Sequence, residues 1–178
     1  QVVTIGNVHT EKTISLTMGL ADWSLDKTGQ IELTPPGEAD SSAATWVRFS
    51  PAFVTLKPGE SKQIIVDMAT PSRLTRSGDF RFALIASTIL PEERGGQSGV
   101  WKKYQLASLF YLTAGDAASK PTIAAGNIVT TPEGQSQLTL RIDNPGNAHA
   151  RLDGEIKISG AGAGPLTMPI GNLVVLHE

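Results

Sequence analysis

Histidine, carboxylate, hydroxyl and aromatic side chains could carry chemistry in this chain, but their spacing argues against most of it. The three histidines are His9, His149 and His177. None has a histidine partner at i+2 or i+4. A zinc site needs three or four ligands converging on one ion, so these are read as structural or surface histidines. Cysteine is absent, which removes disulfides, thiolate metal sites and a thiol nucleophile. Glu92-Glu93-Arg94 stands beside Gly95-Gly96 and reads as a charged hairpin loop rather than a general acid and base. No Gly-x-Ser-x-Gly elbow occurs. Gly59-Glu60-Ser61-Lys62 lacks the upstream glycine of a phosphate-binding loop and leads into a strand pattern, so it reads as a turn. The expectation is therefore a protein that is not an enzyme and needs no metal or cofactor.

The aromatic residues point to binding rather than catalysis. Trp23 and Trp46 sit inside apolar strand patterns and are expected to pack in or beside the core, not to form a sugar-binding face. Trp101-Lys102-Lys103-Tyr104 opens a long strand after a Gly-rich approach, Gly95, Gly96 and Gly99. Two readings stay open there. The lysines could guard a solvated strand edge against aggregation. Alternatively, the edge could capture a partner's extended segment through backbone hydrogen bonds. On the second reading the partner-binding residues are Val100, Lys102, Lys103, Tyr104, Leu106 and Ser108.

Composition limits the partners. The chain has 178 residues, 40% of them hydrophobic and 18% charged, enough for one large or two small domains with ordinary cores. A net charge of -2 argues against nucleic acid, whose binders carry a basic excess or stripe. No run of 18 apolar residues is present, so no membrane-spanning helix is expected. No signal peptide is seen, and the start at Gln1 reads as trimmed or processed.

The elements that would position these residues are almost all strands. Ile14, Leu16 and Met18 alternate with Thr13, Ser15 and Thr17. Ile64, Val66 and Met68 alternate with Gln63, Ile65 and Asp67. Phe80, Phe82 and Leu84 alternate with Asp79, Arg81 and Ala83. Each is a period-two pattern with one apolar face, as a half-buried antiparallel strand requires. A longer strand is expected from Val100 to Thr113, ending in the apolar run Leu109-Phe110-Tyr111-Leu112. No segment shows a capped helical stripe. With 18 glycines and 11 prolines marking turns, the cadence is that of an immunoglobulin-like sandwich.

Residues 115–121 are small, polar and end in proline, and read as a linker. A second β pattern follows, with Leu138, Leu140 and Ile142 alternating, the turn Asn144-Pro145-Gly146-Asn147, then Leu152, Ile156 and Ile158. Gly160 to Pro165 reads as a turn. The expected organisation is all-β. A first sandwich covers residues 1–114, a linker 115–121, and a second sandwich 122–178. About 60 residues fall short of the roughly 100 such a domain uses. The second sandwich is thus expected to lack its last strands, and the first its opening strand.

The order of these strings resembles the N-terminal domain of PapD-like periplasmic pilus-assembly chaperones. The resemblance rests on the Val3–Asn7 strand with its Asn turn, the Thr13–Trp23 strand, and Ser50-Pro51 with Leu56-Lys57-Pro58-Gly59-Glu60. It also rests on the Phe80–Pro91 segment, the Leu109-Phe110-Tyr111 run, and Ile142-Asp143-Asn144-Pro145 in the second half. It implies a periplasmic or secreted chaperone that binds protein subunits by β-strand addition in assembling a pilus, fimbria or other surface structure. The alternative is a structural or adhesive immunoglobulin-like surface module. Self-association or strand swapping between copies is a further expectation. The resemblance also implies two basic residues that anchor a subunit carboxylate. One would lie on a first strand that this chain is read as lacking, and Ser108 stands where the other is expected.

Overall fold

The computed structural model describes residues 1–89, 103–160 and 163–177. The chain divides into two units. The first comprises Gln1–Thr75 and Phe80–Leu112; the second comprises Arg76–Asp79 and Thr113–Glu178. Among the described residues every regular element is a strand, apart from one 3-10 turn at Ala44–Trp46.

The first unit is a sandwich of two sheets. One has three strands in the order β1 (Val2–Gly6), β6 (Ser61–Met68), β4 (Val47–Ser50). The other has five. Its path runs β3 (Ile31–Thr34), β2 (Ile14–Leu25), β7 (Gly78–Ile89), β8 (Lys103–Ala114), the first two residues of β7 and the last two of β8 falling in the second unit, and β5 (Phe53–Leu56) pairs with the first part of β2. The period-two patterns place most of the core as expected, although Met68, on the face of Ile64 and Val66, is exposed. Ile64 and Val66 are buried from one sheet, and Leu16, Val54, Leu56, Phe80, Phe82 and Leu84 from the other. Gln63, Ile65 and Asp67 face outward. Phe82 stacks on Phe110 with centroids 4.4 Å apart. Burying each such side chain is worth about 1.5–3 kcal/mol.

Strand β7 departs from the half-buried expectation. Ala83 and Ile85 are buried as well as Phe80, Phe82 and Leu84, and Arg81 is only 7% exposed. At Arg81 the cause is a segment that pairs beside this strand and reaches its side chain, Ser41 Oγ accepting from the Arg81 guanidinium at 3.0 Å. Ser42 bridges to Arg81 in parallel, the Arg81 amide donates to the Ser41 carbonyl at 2.7 Å, and the Ala43 amide donates to the Arg81 carbonyl at 2.9 Å. Buried Asp22 holds the approach to this pairing by accepting the amides of Gly37, Glu38 and Ala39, each at 2.9 Å. The Arg81 guanidinium lies over the Trp23 ring, 5.5 Å from its centroid. Trp23 is buried in β2, in line with the packing expectation. Trp46 is half-buried on the 3-10 turn rather than in a strand, tilted against Phe80 at 4.6 Å.

The second unit holds two antiparallel ribbons, β9 (Thr122–Thr130) with β10 (Ser136–Asp143), and β11 (Ala150–Gly160) with β12 (Ala163–Val175). Gly160 lies in β11 and Ala163 to Pro165 in β12, where a turn over Gly160–Pro165 was expected. Residues 115–121 carry no strand.

Candidate strand-binding edge

Strand β8 stands at the end of its sheet, with β7 its neighbour on one side and no described strand on the other. Lys103 and Gln105 are exposed, Tyr104 is 49% and Leu106 66% exposed, while Ala107 to Leu112 are half-buried. The strand therefore changes character along its length. Its far half is anchored, Phe110 on Phe82 and Tyr111 edge-on to Trp23 at 5.0 Å. Its near half presents a leucine and a tyrosine two residues apart, on the same side of the pleat. Besides its pairing with β7, the Gln105 side-chain amide donates to Ser87 Oγ on the other face at 3.2 Å.

Ser108 continues the Tyr104–Leu106 face inward. It lines a gap of about 40 Å³ with Leu106, Val3, Ile5, Met18 and Leu84. No cation stands at this position. Of the six residues expected to bind a partner, Lys103, Tyr104, Leu106 and Ser108 lie on this one strand. Val100 and Lys102, like Trp101 and the Glu92–Gly99 loop, lie outside the described residues. The arrangement offers main-chain donors and acceptors beside alternate apolar side chains. It can extend a ladder.

Two other chemistry-capable groups serve local turns. The His9 ring nitrogen Nδ1 accepts the Glu11 and Lys12 amides at 3.3 Å each, closing a turn. Gly59-Glu60-Ser61-Lys62 is a turn in which Glu60 accepts the Lys57 amide at 2.9 Å and Gly59 takes φ +72°. Among the described residues no group of three His, Cys, Asp or Glu could hold a metal ion. No described helix is long and apolar enough to cross a membrane.

Sequence reasoning missed one polar cluster, in the second unit. The Asp79 carboxylate is fully buried. It accepts Thr113 Oγ1 at 2.6 Å, His149 Nδ1 at 2.5 Å, and the His149 backbone amide. Burial pushes the carboxyl up, but the hydrogen bonds from Thr113 and His149 and the nearby imidazole outweigh it, holding Asp79 below the usual carboxylate range. His149 is thus a structural histidine, as expected, though the partner seventy residues away left no local signal. The order is wrong for a catalytic triad, because the hydroxyl and the imidazole both spend themselves on one carboxylate.

No family model matches the sequence, and no curated protein matches it. Solved structures do. A chain of the chaperone–tip adhesin complex of CFA/I fimbriae superposes with a TM-score of 0.52 at 14% identity, over all of this chain and 75% of that one. A chain of the CsuC–CsuE chaperone–tip adhesion subunit complex from archaic Csu pili of Acinetobacter baumannii gives 0.51 at 16%, over 98% and 77%. The CupB2 chaperone of Pseudomonas aeruginosa gives 0.51 at 12%, over 99% and 76%. The protein has the PapD-like fold of these fimbrial chaperones, built from immunoglobulin-like sandwiches. It spans about three quarters of each neighbour's length.

Proposed function

We propose that the protein is a chaperone-like binder of pilus or surface-structure subunits, working in the periplasm without covalent chemistry. The observation that carries this reading is the edge position of β8 with Tyr104 and Leu106 exposed. A subunit's extended segment adds to that edge by main-chain hydrogen bonds. Its alternate apolar side chains cover Tyr104 and Leu106, gaining about 25 cal/mol per Å² of apolar surface removed from water. The likeness to fimbrial chaperones supports the reading through fold alone. Ser108 supplies no charge for a partner's terminal carboxylate, so backbone pairing rather than ionic anchoring sets the affinity. The division of the chain at a linker over residues 115–121 belongs to the same proposal.

The test is amide exchange across residues 103–112 of the full chain, with and without an extended peptide of alternating apolar residues. Slowed exchange confined to these amides on peptide addition supports the reading. Amides already protected in the free monomer and unmoved by any such peptide overturn it. Protection that instead rises with protein concentration alone assigns the edge to pairing between copies.

A further inference from the structure

Three separate stretches of chain converge in the second unit: residues 76–79, 113–119 and 144–149. The first of them interrupts the sequence of the first unit yet belongs to the second. We propose that the second unit folds around this inserted segment, and that the Asp79 carboxylate is the clasp that holds it.

Three observations meet here. The first is the carboxylate itself. It is fully buried and has three donors, from Thr113 Oγ1 on one stretch and from the amide and ring of His149 on another. One side chain thereby joins all three stretches. An ionised carboxylate accepts only, so Nδ1 of His149 carries the proton it shares with Asp79.

The second is the backbone around it. The Asp79 amide donates to the Asn147 carbonyl at 2.8 Å, and the Arg76 guanidinium donates to the Asp79 carbonyl. Asn147 then binds the linker in both directions. Its side-chain amide donates to the Asp116 carbonyl at 2.9 Å, its Oδ1 accepts the Ala118 amide at 2.8 Å, and its own amide donates to the Ala118 carbonyl at 3.0 Å.

The third is the placement of glycine. Gly78 has φ +117° and Gly115 φ +68°. A Cβ on Gly78 would run into the Asn147 carbonyl, one on Gly115 into the Ser77 hydroxyl, and one on Gly146 into the Ala118 carbonyl. Each stretch thus contributes a glycine pressed against a neighbouring stretch, Gly78 and Gly146 against backbone carbonyls that cannot yield to a side chain.

The cluster matters because the second unit has little else. Its buried apolar residues among those described are Ala148 and Ala150. A unit without a large apolar core, held at one polar knot, opens as a body when that knot is cut. The second unit is thus conditional on residues 76–79, and a chain cut before Thr113 would leave its clasp behind.

Native-state hydrogen exchange on the full chain tests this, comparing the wild type with Asp79→Asn and Thr113→Val. Asparagine keeps the shape but turns an NH2 toward donors, so the three-way acceptor is lost. Exchange of the His149, Leu140 and Ile156 amides is expected to rise at least tenfold in Asp79→Asn. Ile64 and Val66, in the first unit, should keep their protection. Thr113→Val removes one donor of three and should raise exchange by a few-fold over the same amides. If the asparagine chain does not fold, Thr113→Val carries the same comparison. Unchanged exchange at Leu140 and Ile156 overturns the proposal. So does an equal loss of protection in both units, which would make Asp79 part of one common core.

Discussion

The two units share a turn device and differ in what lies behind it. Asn7 follows β1 and Asn144 follows β10, and both are buried. Asn7 Nδ2 donates to the carbonyls of Lys12 at 2.7 Å and Leu56 at 3.1 Å, while its Oδ1 accepts the His9 amide. Asn144 Nδ2 donates to the carbonyls of Ala148 at 2.8 Å and Val175 at 3.3 Å, and its Oδ1 accepts the Lys120 and Gly146 amides. Behind Asn7, Phe82, Leu56, Ile64 and Leu84 are sealed from water. Behind Asn144 lies an open cleft of about 290 Å³, lined by Ile142, Leu152, Ile170 and Leu173, and Ile123 at its rim is 71% exposed. Two-stranded ribbons are marginal on their own. The same hydrogen-bonding turn therefore closes an apolar core in one unit, whereas in the other the polar contacts carry more of the order.

The largest expected effect separates the units by truncation. Phe82→Ala should cost the first unit about 3–5 kcal/mol, because a sealed ring leaves a cavity. Leu173→Ala, which trims a half-exposed side chain, should cost the second unit no more than about 1 kcal/mol. Urea denaturation followed separately through Trp23 and through amides of the second unit measures both. Comparable losses would mean that the second unit has a core as tight as the first.

Backbone strain ranks next and reverses the asymmetry. Gly78→Ala places a Cβ at φ +117° against the Asn147 carbonyl. Strain of this kind costs about 1–3 kcal/mol before the clash is counted, and the loss should fall on the second unit. Gly19→Ala, where a Cβ meets nothing within 4 Å, should leave both units within about 1 kcal/mol of the wild type. Thermal melts resolved by unit decide between the two.

The shared turn gives a sharper comparison. Asn7→Ala and Asn144→Ala each strand buried backbone groups, at about 1–3 kcal/mol. Equal losses would show one device used twice. A markedly larger loss at Asn144 would show how far the second unit leans on polar contacts.

What the sequence made legible follows from the range of the forces involved. Period-two alternation is local, so Ile64, Val66 and Phe82 were placed in the core from their neighbours alone. Tyr104 and Leu106 were read as edge residues from the length of their strand and its Gly-rich approach, and both are exposed on β8. Arg81 was not legible, because its burial depends on a segment forty residues earlier pairing beside its strand. Asp79 was read as an outward residue of an alternating strand. Nothing near it announces Thr113 or His149, and a carboxylate's partners leave no periodic trace. Strand β9 was invisible for a different reason. Thr-Ile-Ala-Ala-Gly-Asn-Ile-Val-Thr alternates weakly, and every residue of it is exposed.

The smallest effect expected is the pH dependence of the same clasp. The hydrogen bonds to Asp79 hold its folded carboxyl below the usual range, whereas an unfolded aspartate titrates near about 3.9. A depressed carboxylate stabilises the fold above its unfolded value. That contribution is lost as pH falls from there through the lower folded value, because the unfolded chain takes up the proton first. Stability of the second unit should therefore be flat in this respect from neutral pH to about pH 5 and decline below about pH 4. Asp79→Asn should flatten the acid limb of the second unit while lowering its stability at neutral pH. Acid titration of the two units by amide chemical shift, in the wild type and in this variant, reads both slopes. An acid limb in the second unit that survives the substitution would assign the effect to other carboxylates and leave Asp79 as a hydrogen-bond acceptor whose charge contributes nothing.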